Sequence, residues 1–118
     1  MKPSVAVLLP TYRAEKTLAR AVRSLLAQSH REWLAVIASD DHCDYLRLLS
    51  GQGLADARLL QVSTGTYGSH DHGARNRALE AAPQTPFLAL LDADDAWAPE
   101  HLEALLPLAE DQGADSAP

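Results

Sequence analysis

Short apolar runs alternate along the chain with segments of helical periodicity. The first run, 5–9, is apolar at every position, a pattern typical of a strand buried on both faces. Apolar runs at 33–38 and 87–91, and the mixed segment 58–62, predict three more strands. Within 14–28, apolar residues recur at i, i+4, i+7 and i+8 and predict an amphipathic helix. Further helices are predicted over 44–49, 74–82 and from Pro99 onward.

This alternation predicts an α/β domain in which a mainly parallel sheet of about four strands is flanked by helices, a Rossmann-like arrangement. In open sheets of this kind, ligands bind outside the carboxyl ends of the strands. Polar clusters follow the first, second and fourth predicted strands: Thr11 and Tyr12, Asp40 and Asp41, and Asp92, Asp94 and Asp95. We therefore expect these clusters to share one edge of the sheet.

Composition narrows the class of protein. A chain of 118 residues with 47% apolar and 22% charged residues predicts one globular domain, which we expect over 1–109 with a flexible tail at 110–118. The net charge of −6, without a Lys/Arg cluster, argues against a nucleic-acid partner. Apolar runs of about five residues are too short to span a bilayer. A poor signal sequence and the lone Cys43 favour the cytoplasm.

The acidic residues after the fourth strand are the first candidates for chemistry. Asp92, Asp94 and Asp95 would repel one another at the mouth of a buried strand unless a cation were bound. Carboxylates suit Mg²⁺ or Mn²⁺, which complete their coordination with diphosphate oxygens and water. The structural alternative is that Asp92 or Asp95 simply ends the strand or caps the following helix.

The remaining candidates fit a nucleotide. A carboxylate at Asp40 or Asp41 can accept hydrogen bonds from a pyrimidine imide or from ribose hydroxyls, although a turn is the structural alternative. Tyr12 can pack against a base or against the rim of the fold. Arg75 lies near a helix N-terminus, where a cation is unfavourable unless an anion offsets it, and the alternative is a solvated surface residue.

Two further groups have only a superficial resemblance to active sites. His70 and His72 suggest zinc, but the remaining ligands of a four-ligand site are missing. His42 beside Cys43 suggests a base and a nucleophile, yet adjacent residues rarely point at each other. We interpret Cys43 as a buried, inert thiol.

Four blocks in order carry a family resemblance. The first three are VAVLLPTYR at 5–13, SDD at 39–41 and GARNRAL at 73–79; the fourth is LDADDAWAP at 91–99. Together they resemble family 2 glycosyltransferases, which have the GT-A fold and transfer a sugar from a nucleotide-diphosphate donor with inversion.

The resemblance implies a site for a UDP- or dTDP-sugar. Thr11 and Tyr12 would line the base pocket, and Asp40 and Asp41 would bind the base. Arg75 would face the nucleotide and Asp92 the ribose, while Asp94 would hold a Mn²⁺ or Mg²⁺ ion that neutralises charge on the leaving diphosphate.

Two departures from the family pattern open alternatives. His42 and Cys43 replace the usual Gly-Ser turn, so the base pocket is expected to be reshaped. The general base and the site for a saccharide or lipid acceptor normally lie downstream, and are expected beyond Pro118. We therefore expect either part of a longer enzyme, which further regions could place at the inner membrane face, or a non-catalytic nucleotide-binding module. A receiver-like domain is disfavoured because the first strand ends in Pro-Thr-Tyr instead of an acidic pair.

Overall fold

A computed structural model describes residues 3–66, 68 and 73–111 of the chain, with side chains described as far as residue 107. In this part of the chain, strands and helices alternate strictly. They are β1 (Val5–Thr11), α1 (Leu18–Leu26), β2 (Trp33–Ser39), α2 (Tyr45–Gly51), β3 (Leu59–Ser63), α3 (Gly73–Ala81), β4 (Phe87–Leu90) and α4 (His101–Asp111).

The strands form one parallel sheet with the order β3-β2-β1-β4. β1 and β2 pair over their full lengths, from Val5 opposite Trp33 to Thr11 opposite Ser39. This arrangement confirms the predicted α/β class with a parallel, Rossmann-like sheet. Because all strands run in the same direction, the loops that follow them emerge at the same edge.

Helices cover both faces of the sheet unequally. The larger core lies between one face and helices α1, α2 and α4, where Leu18, Val22 and Leu25 of α1 are completely buried. Burial of side chains of this size stabilises the fold by about 1.5–3 kcal/mol each. The smaller core lies under α3, where Ala78 packs with Leu8 and other residues of the opposite sheet face.

β1 extends two residues beyond its predicted end, through Pro10 to Thr11. The carbonyl of Leu8 accepts a hydrogen bond from the N–H of Leu91, so the backbone groups of Leu8 face β4. Because backbone groups point to alternate sides along a strand, those of Pro10 also face the β4 side. Since β4 ends at Leu90, Pro10 lies beyond the last β1–β4 pair, and its missing N–H costs no bond in the ladder.

The helices differ from prediction mainly at their ends. α1 begins at Leu18 instead of residue 14, because residues 14–17 form a turn in which the N–H of Thr17 donates to Ala14. α4 continues to Asp111, and the remainder of the predicted tail lies outside the described residues. None of the described helices has the length and apolar character needed to cross a membrane.

Candidate functional site

An open cleft of about 530 Å³ lies at the carboxyl edge of the sheet, between two loops. The β1–α1 loop (residues 12–17) forms one wall and the β4–α4 loop (residues 91–100) forms the other. The lining residues are Pro10, Tyr12, Arg13, Ala14, Thr17, Asp92, Ala93 and Asp94. Sequence positions 80 residues apart are thus brought together, as the strand-end argument predicts.

The acidic wall is exposed. Leu91 is buried and ties the start of the loop to β1 through its N–H, which donates to Leu8 at 3.0 Å. The chain then turns, with the N–H of Asp95 donating to the carbonyl of Asp92 at 3.0 Å. The carboxylates of Asp92 and Asp94 accept no hydrogen bond from the other described residues, so their oxygens are available to a ligand.

The opposite wall carries an aromatic ring and a cation. Tyr12 is 43% exposed, and the guanidinium of Arg13 lies 5.3 Å from the centre of its ring, within the range of a cation–π contact. Behind Tyr12 lies Gly68, which has a φ of 68°. A Cβ at Gly68 would come within 3.2 Å of the Tyr12 ring, so a larger residue there would displace the ring.

Asp41 organises this wall from behind. Its Oδ2 accepts hydrogen bonds from the N–H of Arg13 at 2.6 Å and from the hydroxyl of Tyr45 at 2.5 Å. Its Oδ1 accepts from Ser39 Oγ at 3.1 Å and from the N–H of Cys43 at 3.2 Å. Burial alone would raise the pKa of Asp41, but these four donors favour the ionised form and lower the pKa below its usual value.

Tyr45 connects the carboxylate of Asp41 to Ala14, the first residue of the turn at 14–17. It is completely buried, donates to Asp41, and accepts a hydrogen bond from the N–H of Ala14 at 3.0 Å. Burial, followed by the hydrogen bond to Asp41, raises the pKa of Tyr45. The tyrosine therefore stays protonated and holds the β1–α1 loop against α2. Arg13, which has a φ of 51°, is fixed in this conformation by the bond to Asp41.

Asp40 fixes a third loop. It is 5% exposed, and its Oδ1 accepts hydrogen bonds from Thr64 Oγ1 at 2.7 Å and from Thr66 Oγ1 at 3.3 Å. Its carbonyl accepts from the N–H of Gly68 at 2.7 Å. Asp40 thereby orders the start of the loop that leads from β3 to α3 and brings Gly68 behind Tyr12.

The other predicted site residues lie at the same edge in different surroundings. Thr11 is buried and its hydroxyl donates to the carbonyl of Ala38 at 3.0 Å, which links β1 to β2. Arg75 is exposed in the first turn of α3 and is not among the described residues that line the cleft. The structure therefore brings Tyr12, Asp92 and Asp94 into one cleft, with Asp40 and Asp41 behind it.

The His42-Cys43 turn has a simple backbone explanation. His42 has a φ of 62°, a left-handed conformation that glycine adopts without strain and that histidine tolerates better than most residues. Cys43 is half-buried instead of buried as predicted, because it lies at the end of the turn and not within α2. Burial and the nearby carboxylates of Asp41, Glu15 and Asp44 raise the pKa of the thiol, which opposes formation of a thiolate. His70 and His72 lie outside the described residues.

Sequence reasoning missed the residues that support the site. Tyr45 was predicted only as part of a short helix, although its position four residues after Asp41 is a signal that the two side chains could meet. Gln28, at the end of α1, hydrogen-bonds to the carbonyl of Ala98 and to the N–H of Leu102. These partners are 70 and 74 residues away in sequence, so no local pattern indicates them.

The described residues offer a divalent cation only part of its coordination shell. Across the described residues, no three His, Cys, Asp or Glu side chains converge as a complete metal site. Asp92 and Asp94 supply two exposed carboxylates in one cleft, which fits an ion such as Mg²⁺ that binds through one or two carboxylates and takes its other ligands from phosphate and water.

Comparison with known proteins identifies relatives over nearly the whole chain. The family model described as Glycosyl transferase family 2 matches residues 6–117. The Escherichia coli UDP-Glc:alpha-D-GlcNAc-diphosphoundecaprenol beta-1,3-glucosyltransferase WfgD is 34% identical over 99 residues. The match covers 84% of this chain and 38% of that relative, so the chain spans about two fifths of the relative's length.

Solved structures show the same fold. S. aureus TarS 1-349 in complex with UDP-GlcNAc has a TM-score of 0.77 at 23% identity, covering 96% of this chain and 32% of that one. The mannosyltransferase PcManGT from Pyrobaculum calidifontis, in complex with GDP-Man and Mn²⁺, has a TM-score of 0.67 at 22% identity. That match covers 86% of this chain and 31% of the mannosyltransferase.

Proposed function

Because this chain belongs to glycosyl transferase family 2, we propose that it is the donor-binding portion of an inverting glycosyltransferase of the hexosyltransferase type. The donor is a nucleotide-diphosphate sugar, and a UDP- or dTDP-sugar is favoured. The name of the E. coli relative specifies UDP-Glc, and the TarS structure contains UDP-GlcNAc. The proposed enzyme acts in the cytoplasm and transfers the sugar to a saccharide or lipid acceptor.

The observation that carries the proposal is the cleft itself. An exposed aromatic ring and a cation at Tyr12 and Arg13 face two exposed carboxylates at Asp92 and Asp94. A nucleoside diphosphate has matching parts, because its base can pack on an aromatic ring and its diphosphate can share a divalent cation with carboxylates.

Each predicted site residue has a role in this proposal. Tyr12 packs against the base, and Thr11 and Asp40 support the base pocket from the ends of β1 and β2. Asp41 keeps its predicted place in the base pocket, where it acts through the N–H of Arg13 because protein donors occupy both of its oxygens. Arg75, which lies at the same sheet edge outside the cleft lining, would face the nucleotide, and Asp92 would accept hydrogen bonds from the ribose.

Asp94, with Asp92 beside it, would hold Mn²⁺ or Mg²⁺. The bound ion would supply electrostatic stabilisation of charge that develops on the leaving diphosphate. The contribution of the chain is to fix the two loops, to orient the nucleotide between them, and to set the distance between the carboxylates and the base. No residue of this chain is assigned as the general base, which the proposal expects downstream of Pro118.

Thermal unfolding of the 118-residue chain with UDP, dTDP or GDP tests nucleotide binding. A ligand at about 100 times its Kd stabilises a protein by about 2.7 kcal/mol, so UDP with Mn²⁺ should raise the Tm by several degrees. Asp94→Asn should remove the Mn²⁺-dependent part of this shift. Asp95→Asn is the matched control, because this neighbour does not line the cleft. If none of the nucleotides shifts the Tm with either ion, the proposal is wrong.

A transfer assay distinguishes the enzyme from a binding module. The chain is incubated with UDP-glucose, Mn²⁺ and candidate saccharide and lipid-linked acceptors, with the sequence beyond Pro118 included in a parallel preparation. Transfer with inversion in the longer preparation would support the proposed enzyme. Nucleotide binding without transfer in either preparation would instead support the non-catalytic module.

A further inference from the structure

Gln28 is a buried amide at the end of α1, 2% exposed, with hydrogen bonds to the segment that follows Asp92 and Asp94. Its Nε2 donates to the carbonyl of Ala98 at 2.7 Å, and its Oε1 accepts from the N–H of Leu102 at 3.0 Å. The same Nε2 donates to the carbonyl of Ser24 within α1 at 3.0 Å. One side chain thus joins α1, the β4–α4 loop and the start of α4.

Only a side chain with both a donor and an acceptor can make this set of contacts. Leu102 lies in the first turn of α4, where backbone N–H groups lack partners within the helix. The carbonyl of Ala98 accepts from the N–H of His101 at 3.0 Å, and its second lone pair accepts from Nε2 of Gln28. An amide bonds to both groups at once, whereas an apolar side chain would leave the N–H of Leu102 without its acceptor, and a carboxylate would place an oxygen against the Ala98 carbonyl.

The residue next to Gln28 strengthens the same connection. The N–H of Ser29 donates to the carbonyl of Pro99 at 2.8 Å, and its hydroxyl donates to Glu103 at 2.7 Å. At its other end the β4–α4 loop is tied to β1 through Leu91. The loop is therefore fixed at both ends, while the carboxylates of Asp92 and Asp94 between them remain exposed to the cleft.

We propose that Gln28 is a positioning residue for metal-dependent nucleotide binding. By holding Ala98 and the start of α4, it sets the path of the β4–α4 loop and hence the positions of Asp92 and Asp94. Residues that orient metal ligands in this way commonly change metal affinity about 10- to 100-fold when they are replaced. The inference rests on the proposed function, since it requires that a cation and a nucleotide bind in the cleft.

The test measures the Kd for UDP by calorimetry on the 118-residue chain, once with Mn²⁺ and once with a chelator. Gln28→Met keeps the length of the side chain and removes the donor and the acceptor. We expect it to weaken UDP binding in Mn²⁺ by about tenfold or more. Binding in chelator, which depends on the Tyr12 side of the cleft, should change less than about twofold, which is within an ordinary surface effect.

Gln61→Met is the matched control. The Oε1 of Gln61 accepts from the N–H of Leu46 in the first turn of α2, and its Nε2 donates to the carbonyl of Cys43. The substitution therefore removes the same kinds of bond on the opposite side of the domain. The ratio of UDP affinity with Mn²⁺ to that with chelator should remain at the wild-type value in Gln61→Met and should fall in Gln28→Met.

The outcomes separate the inference from the proposed function. If wild type binds no UDP in either condition, the proposed function fails. If wild type shows the Mn²⁺-dependent increase and Gln28→Met retains it, the inference about Gln28 is overturned. Should Gln28→Met fail to fold by circular dichroism, Gln28→Glu takes its place, because it keeps an acceptor for Leu102 and loses the donor to Ala98. An unchanged Mn²⁺-dependent increase in that variant equally overturns the inference.

Discussion

Two acidic pairs follow strands of the same parallel sheet, yet they have opposite surroundings. After β2, Asp40 is buried and Asp41 accepts four hydrogen bonds from the protein. After β4, Asp92 and Asp94 are exposed, and their carboxylates accept no hydrogen bond from the other described residues. Position at a strand end brings a carboxylate to the edge where ligands bind, whereas the neighbouring loops decide whether that carboxylate stays open or is used to hold the protein together.

The two acidic pairs differ because different loops lie close to them. Next to β2, the β1–α1 loop and the start of α2 direct N–H and hydroxyl groups at Asp41, including those of Arg13 and Tyr45. β4 is at the end of the sheet order among the described strands, so Asp92 and Asp94 have a neighbouring strand on one side only. The pair next to two strands becomes part of the framework, and the pair at the sheet edge remains open.

Replacement of one acid from each pair should give the largest difference in the free energy of unfolding. Asp41→Ala leaves the buried Tyr45 hydroxyl and the N–H groups of Arg13 and Cys43 without their acceptor, and should lower the free energy of unfolding by about 3 kcal/mol. Asp94→Ala should change it by less than about 0.5 kcal/mol, because it removes an exposed side chain. Urea unfolding followed by circular dichroism measures both, and equal losses would contradict the comparison.

A smaller effect is expected at the turn that carries Asp41. His42 has a φ of 62°, so His42→Ala keeps a strained backbone whereas His42→Gly relieves it. Both variants lack the imidazole, and the difference between them therefore reports the backbone alone. We expect the glycine variant to be about 1 kcal/mol more stable in urea unfolding. A more stable alanine variant would show that the left-handed conformation does not constrain this turn.

The sequence predicted the elements and the common edge well because periodicity and strand-end polarity are local patterns. Its patterns indicate, in order, the eight elements of the described residues, and they place Tyr12, Asp92 and Asp94 at one edge of the sheet. It did not reveal that Asp41 bonds to Tyr45 or that Gln28 bonds to Ala98. Those contacts depend on how loops fold back in three dimensions, and a residue type at one position does not specify its partner 70 residues away.

The pH dependence of stability should show the smallest difference between the two acidic pairs. The folded pKa of Asp41 lies below its ordinary value of 3.8, so the unfolded chain binds more protons between these two pKa values. The contribution of Asp41 to stability is therefore complete above about pH 5 and falls as the pH drops through 3.8 toward the folded pKa.

Asp41→Asn removes this titration, so the difference in stability between wild type and the variant should narrow on acidification. Asp94→Asn is the control for the Asp-to-Asn change itself, because it replaces an exposed carboxylate that accepts no hydrogen bond from the other described residues. Urea midpoints measured from pH 6 down to pH 3 test this, and a gap that stays constant for Asp41→Asn would mean that its hydrogen bonds do not favour the ionised carboxylate.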